Sequence, residues 1–333
     1  MRVLITGTAG FIGFHLARKL IEEGHEVAGL DGFTPYYDVN LKAARHAILK
    51  KHNGFSEHRI MLEDAESVAR LYNEFNPEAV VHLAAQAGVR YSLENPRAYI
   101  DANIIGTFNL LELVRAKRPQ HFLLASTSSV YGGNLDMPFL ETSRTDHPLT
   151  LYAATKKATE GMAHSYSHLF DIPVTVFRFF SVYGPWGRPD MALFKFVQGI
   201  LEDKPIDIYN NGLMKRDFTY VEDLVEGIAR LIGCVPSNQA DPVEGDSLSP
   251  VAAHRVVNIG RGHPVKLMEF IEQIEDSIGK KAIRNYMPMQ PGDVPENFAN
   301  ADLLFNLTGY RPSTPTNVGV EAFVHWYREH YGV

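Results

Sequence analysis

The sequence predicts an α/β protein: a doubly wound parallel sheet with helices on both faces, followed by a smaller C-terminal α/β lobe. Three observations carry this expectation. Short apolar runs recur without polar alternation at Val3–Ile5, Ala79–Leu83, Phe122–Ser126 and Val174–Phe179, as strands covered on both faces require. Helical stretches near Glu66–Phe75, Pro96–Arg115 and Tyr152–Phe170 separate them, and alternation of strand and helix implies parallel crossovers. The first apolar run passes directly into a glycine-rich turn that opens a helix.

Taken in order, Val3–Ile5 is the first strand, and Gly7, Gly10 and Gly13 follow with the spacing Gly-x-x-Gly-x-x-Gly. Gly7 permits a tight turn, Gly10 lets a pyrophosphate approach the backbone at a helix N-terminus, and Gly13 lets helix and strand pack closely. The helix runs from Phe11 to Glu23 on the period of Phe11, Leu16 and Leu20, and Gly24 closes it. A second strand, Glu26–Leu30, ends at Asp31, whose carboxylate suits the ribose hydroxyls of NAD and would repel the extra phosphate of NADP. This Rossmann-type order predicts a dinucleotide-binding domain over residues 1–180. A third strand is expected at Arg59–Leu62. Beyond Phe180 the regularity fails. Short strands (Ile206–Tyr209, Arg255–Ile259) and helices (Val221–Ile232, Leu267–Ile278) predict a substrate-binding lobe over 181–333, partly interleaved with the sheet. The polar stretch Pro236–Ala253 reads as a flexible surface loop.

Composition narrows the class of function. The chain has 333 residues, 45% hydrophobic and 21% charged, enough for a sizeable core. The net charge is -7 with no basic stretch, so a nucleic-acid partner is not expected, and an anionic substrate must be held by local arginines. Cys234 is the single cysteine, which excludes an intrachain disulfide and a cysteine-based metal site and fits a reducing, cytoplasmic setting. The histidines lack metal-ligand spacing, so no metal is expected. No run approaches the length of a membrane span, and the N-terminal apolar run is cut by glycines, unlike a signal peptide.

Tyr152 and Lys156 stand four apart, which on a helix puts both on one face. The ammonium there would favour the phenolate and make Tyr152 a usable base near neutral pH. Such a pair on its own is as readily an exposed surface pair. Its place downstream of the glycine turn and of the hydroxyl cluster Ser126-Thr127-Ser128-Ser129 changes that reading.

Together these residues resemble the extended short-chain dehydrogenase/reductase family over essentially the whole chain. The resemblance includes His82-Leu83-Ala84-Ala85, Asn103, Ser126 to Gly132, and the Tyr152/Lys156 pair. Within that family the chain is most similar to the UDP-glucuronate 4-epimerases, on Gln86 to Ser92, on Arg178 to Ala192 and on Met214 to Tyr220. Three positions depart from the usual pattern. Gly32 replaces an Asn after the ribose-binding Asp, Met61 replaces an Asp that accepts from adenine, and Ser181 stands where Thr is frequent.

The resemblance implies NAD as cofactor, a UDP-sugar as substrate and a homodimer. It places the cofactor against Gly7, Ala9, Gly10, Phe11, Ile12, Gly13, Asp31, Leu62, Leu83, Ala84, Ala85, Asn103, Ser126 and Phe179, together with Tyr152 and Lys156. It makes Thr127, Tyr152 and Lys156 the catalytic set. Tyr152 would take the 4-hydroxyl proton while hydride passes to NAD, the 4-keto sugar would swing round, and hydride would return to the other face. Substrate contacts fall on Arg90, Thr127, Ser128, Ser129, Ser181, Arg188, Asp207, Tyr209, Arg216 and Asp293.

A 4-keto uronate is a β-keto acid that readily loses carbon dioxide. An epimerase must therefore hold the carboxylate out of the decarboxylating alignment, and Arg188 with Ser181 and the serine cluster are the candidates. The competing reading of Arg188 is a loop arginine paired with Asp190, and that of Arg216 is an ion pair with Asp217. Alternatives for the whole chain are a neutral UDP-hexose 4-epimerase, a UDP-glucuronate decarboxylase, which carries Glu at the position of Ser129, and a non-catalytic NAD-sensing scaffold.

Overall fold

In a computed structural model, which describes residues 1–239 and 241–333, the first half of the chain builds strands β1 (Arg2–Thr6), β2 (Glu26–Asp31), β3 (Phe55–Arg59), β4 (Ala79–His82), β5 (His121–Thr127) and β6 (Val174–Phe179). The second half adds β7 (Ser181–Tyr183), β8 (Ile206–Tyr209), β9 (Lys215–Tyr220), β10 (His254–Ile259), β11 (Pro264–Lys266), β12 (Arg284–Met287) and β13 (Glu296–Asn297). The helices are α1 (Phe11–Glu22), α2 (Val39–Leu49), α3 (Ala65–Phe75), α4 (Tyr91–Glu94), α5 (Pro96–Tyr99), α6 (Gly106–Lys117) and α7 (Leu151–Phe170), then α8 (Ala192–Leu201), α9 (Val221–Ile232), α10 (Leu267–Ile278), α11 (Asp302–Thr308) and α12 (Thr316–Tyr331).

Seven strands form one wholly parallel sheet in the order β10-β6-β5-β4-β1-β2-β3. Chain direction across the sheet reverses between β1 and β4, which opens a crevice at the carboxyl ends of those strands. Strand pleating explains why the apolar runs are continuous. Val3 and Ile5 enter a core with α1 and α9, whereas Leu4 enters the opposite core with α3, α6 and α7. The seventh strand, β10, comes from beyond residue 181, so the chain crosses back to the sheet after leaving it. A four-stranded sheet of β7, β9, β11 and β13 and the β8–β12 pair complete the second half, around an aromatic core that includes Phe218 and Phe270.

Two expectations for the first half need correction. The third strand is Phe55–Arg59, not Arg59–Leu62. As the sheet's edge it carries alternating polar residues, and the apolar Ile60 to Leu62 that follow it instead line the crevice. Helix α2 was not foreseen, because its inner face buries Lys42, Arg45 and His46 beside Leu41 and Leu49, and these polar residues mask the apolar period. The Pro96–Arg115 stretch is helical but passes through a π-helical segment at Ile100–Ile105, a local widening often tied to function. The stretch Pro236–Ala253 forms turns without strand or helix, and its residue Ala240 lies outside the described residues. One side of it is tied down where Arg255 makes a two-pronged pair with Asp246 at 2.9 and 2.8 Å.

Candidate active site

The glycine turn starts the site. Gly7 adopts φ +85°, and a Cβ on Gly13 would lie 2.1 Å from the Gly7 carbonyl oxygen, so only glycine lets α1 sit this close to β1. Asp31 ends β2 with a buried carboxylate that accepts from the Ala9 amide at 3.0 Å and the Phe33 amide at 2.8 Å. The turn is thus fixed in shape by the same residue expected to face a ribose.

Two adjoining cavities open above the carboxyl ends of the strands. The smaller, about 360 Å³, is lined by Gly7, Gly10, Phe11, Ile12, Gly13, Asp31, Leu62, Leu83, Ala84, Ala85, Ser126, Thr127, Tyr152 and Phe179. Three residues expected at the cofactor do not line it. Ala9 is buried and contributes through its backbone, and Lys156 is buried behind Tyr152. Asn103 is buried on the π segment, where it clamps the loop after β4. Its Oδ1 accepts from the Gln86 amide at 2.8 Å, and its Nδ2 donates to Gln86 O at 3.2 Å and Thr155 Oγ1 at 3.0 Å.

The two departures at the cofactor end meet in space. A Cβ at Gly32 would lie 2.2 Å from the Met61 sulfur, so the missing side chain at 32 makes room for the thioether at 61. That replaces a carboxylate acceptor by a polarizable apolar surface at the end of the cavity expected to take adenine.

The larger cavity, about 790 Å³, is lined by all ten expected substrate residues: Arg90, Thr127, Ser128, Ser129, Ser181, Arg188, Asp207, Tyr209, Arg216 and Asp293. Thr127, Arg188 and Tyr36 border both cavities. Thr127 accepts from the Ser129 amide at 3.2 Å, capping the short helical turn after β5, its hydroxyl donates to Ser129 Oγ at 3.3 Å, and it lines the smaller cavity together with Tyr152.

Burial pushes the Tyr152 phenol above its ordinary value, and the Thr127 hydrogen bond and the charge of Arg188 draw it back. Burial brings the Lys156 ammonium down to about 8, opposed by the negative charge of Glu160. Glu160 itself is pinned by Arg178 at 2.9 and 2.8 Å and by the Ser126 hydroxyl at 2.5 Å, a buried network that fixes α7 to β5 and β6.

Arg188 donates from Nε to Asp190 Oδ1 at 2.9 Å and from Nη2 to Oδ2 at 2.5 Å, and Tyr36 donates to the same carboxylate at 3.2 Å. The pairing with Asp190 and the cavity-facing position hold together, and Nη1 makes no hydrogen bond among the described residues. Arg216 does not pair with Asp217. It donates to Lys215 O at 2.8 Å and Pro295 O at 3.2 Å, while buried Asp217 receives the amides of Arg261, Gly262 and Ala299. Arg90 lies 4.3 Å over the Tyr209 ring and 3.5 Å from Asp293. Asp207 accepts from Asn285 at 2.7 Å.

Sequence reading missed Tyr36, which donates to Asp190 at 3.2 Å, and Asn297, which donates to Ser128 at 3.2 Å. No spacing rule marks them, since each reaches the site from a loop or short strand distant in sequence. Among the described residues, no group of His, Cys, Asp and Glu is arranged to hold a metal, and no helix is long and apolar enough to cross a membrane.

Comparison with known proteins places this geometry. Residues 3–241 match the NAD dependent epimerase/dehydratase family. A Rhizobium meliloti protein named probable UDP-glucuronate 4-epimerase is 59% identical, over 99% of this chain and 98% of its own length. A crystal structure of the Bacillus cereus UDP-glucuronic acid 4-epimerase in complex with UDP-glucuronic acid and NAD superposes with a TM-score of 0.86, at 31% identity over 99% of this chain and 100% of that one. A UDP-glucose 4-epimerase from Thermotoga maritima with UDP-glucose also reaches 0.86, at 27% identity over 99% and 100% of the two chains.

Proposed function

The chain belongs to the NAD dependent epimerase/dehydratase family, and we propose that it interconverts UDP-glucuronate and UDP-galacturonate by epimerising carbon 4. The observation that carries this is the junction of the two cavities. A phenol with its hydroxyl partner, Tyr152 and Thr127, meets an arginine, Arg188, and the adjoining turn offers Ser128 and Ser129 rather than carboxylates. Equal superposition on a uronate enzyme and on a neutral-hexose enzyme means that the fold does not choose the sugar. The side chains at the sugar end do.

The small cavity fits NAD: its glycine turn admits a pyrophosphate and Asp31 suits a ribose, so residues 1–180 would hold the cofactor and 181–333 supply most sugar-nucleotide contacts. NAD, when bound, supplies a hydride acceptor at carbon 4 and then a hydride donor. Tyr152 takes the 4-hydroxyl proton and later returns it, and Thr127 holds the same oxygen. Lys156 would hold the nicotinamide ribose. Arg216 takes the diphosphate, and Arg90, Asp207, Tyr209 and Asp293 surround the nucleoside. Arg188 and the serines grip the carboxylate in each half-reaction, on either side of the swing.

The test is incubation of purified protein with UDP-glucuronate, no NAD added, and chromatographic separation of products. UDP-galacturonate is expected; UDP-pentose alone, or no turnover, rejects the reading. A reaction that returns its hydride needs no cofactor exchange, so protein denatured after purification should release NAD. Release of NADP alone, or turnover that consumes added cofactor, would be incompatible with this cycle.

We also place the enzyme in the cytoplasm as a homodimer. Ile100, Ile105 and Phe108 leave an exposed apolar strip beside α7, whose Ala158 and Gly161 offer a small-residue face. Light scattering should give twice the chain mass at micromolar concentration, and Phe108→Glu should give monomers. A monomeric mass for the unaltered protein rejects the dimer.

A further inference from the structure

Arg45 is fully buried on α2, yet none of its hydrogen bonds reaches a carboxylate. Its Nη1 donates to Ala9 O at 2.6 Å and to the Tyr37 hydroxyl at 2.8 Å, and its Nη2 donates to Trp186 O at 2.7 Å and Gly187 O at 3.4 Å. An ion buried without a counter-ion is costly, so its acceptors need an explanation. Apart from Tyr37, on the loop just ahead of α2, they belong to two functional segments. Ala9 lies in the glycine turn, and its amide is held by Asp31 at 3.0 Å. Trp186 and Gly187 immediately precede Arg188.

The receiving loop needs external support. Trp186 adopts φ +60°, a conformation that an L residue keeps only when its surroundings hold it. His15 on α1 donates from Nε2 to Pro185 O at 2.9 Å. Three successive carbonyls ahead of Arg188 are thus received by two buried side chains, Arg45 and His15, that rise from the cofactor half.

We propose that Arg45, assisted by His15, is a positioning residue that ties the glycine turn to the loop presenting Arg188, so that the carboxylate grip is set from the cofactor site. The inference rests on the function proposed above. Its chemical sense follows from the 4-keto uronate: oxidation at carbon 4 is safe only while the carboxylate is held, and the strap ties the segment that seats the oxidant to the segment that holds the carboxylate. The guanidinium fork is what the position requires, since only a planar, multi-donor cation reaches acceptors on both segments at once.

Arg45→Lys keeps the charge and loses the fork. It is assayed as the purified holoenzyme with UDP-glucuronate, with products separated by chromatography, bound NAD measured after denaturation, and amide hydrogen exchange followed at residues 186–188. Expected are retained NAD, a several-fold higher ratio of UDP-pentose to UDP-galacturonate, a raised KM with a smaller change in kcat, and faster exchange at 186–188. A purely structural role would lower the amount of folded protein without altering the product ratio. A folded, NAD-bearing variant with wild-type product ratio and wild-type exchange overturns the proposal. If Arg45→Lys does not fold, His15→Asn decides: faster exchange at 186–188 with a raised UDP-pentose share supports it, and wild-type behaviour overturns it. Wild-type protein run alongside separates the two claims. Failure of wild type to form UDP-galacturonate rejects the proposed function, whereas exchange at 186–188 still reports whether Arg45 holds the loop.

Discussion

Tyr152→Phe should slow hydride transfer by roughly 10²–10⁴-fold, with UDP-glucuronate binding largely kept. The change removes one hydroxyl and leaves the ring, whose edge packs against Tyr99 at a centroid distance of 6.0 Å. The lost group is the one that Thr127 contacts and that Arg188 polarises. Burial raises the phenol's pKa, so the base form is the minor one at neutral pH and its share grows as pH rises. Wild-type hydride transfer should therefore accelerate with pH until the phenolate predominates, and the Phe variant should lose that dependence. Single-turnover absorbance of reduced nicotinamide, followed across pH with bound NAD, measures both effects. A Phe variant that keeps the wild-type pH profile would remove Tyr152 as the base.

How far the sequence carried the site depends on how each residue reaches it. Gly7, Gly13, Asp31 and Tyr152 were legible because each sits at a fixed offset from a buried strand or on one helix, where local periodicity sets direction. The substrate residues from Arg90 to Asp293 came from resemblance, and all ten line a single cavity although they span both halves of the chain. No local rule brings Arg216 on β9 to face Ser129 on the turn after β5. Tyr152 and Lys156 share helix α7 at the spacing of four that puts them on one face, and the Lys156 ammonium is buried and brought down to about 8. Helix α2 escaped because buried charges occupy its inward face, and those charges, Arg45 above all, brace the site. In the second lobe β8 and β10 were legible from their apolar residues, whereas β7, β11 and β12 escaped because such short runs of mixed polarity carry too little period to read.

Arg188→Ala should leave oxidation at carbon 4 in place and divert the product. Tyr152 and Thr127 remain in place, so the 4-keto intermediate still forms, more slowly at neutral pH because the phenol loses the Arg188 charge that favours its base form. Its fate then depends on the carboxylate. Loss of carbon dioxide requires the carbon 5 to carboxyl bond to stand perpendicular to the ketone plane, where the breaking bond overlaps the carbonyl. With Nε and Nη2 committed to Asp190, Arg188 has Nη1 as the donor left for a carboxylate at the border of the two cavities. The charge-assisted contact both lowers the carboxylate's freedom to rotate and holds it as an anion. The intermediate must nevertheless swing between half-reactions, and a guanidinium already half satisfied by Asp190 suits a grip that has to yield and re-form. Removing it should raise the UDP-pentose share of total product several-fold and raise KM for UDP-glucuronate, measured by chromatography and by carbon dioxide release. Asp190→Asn removes the counter-charge and one of the two acceptor oxygens on the guanidinium and should shift the ratio the other way, toward tighter uronate binding and slower epimerisation, because the swing would then start from a stronger grip. An Arg188→Ala enzyme that epimerises UDP-glucuronate at the wild-type rate, with no rise in decarboxylated product, would remove the arginine from the carboxylate. With it would go the main physical ground for a uronate rather than a neutral sugar.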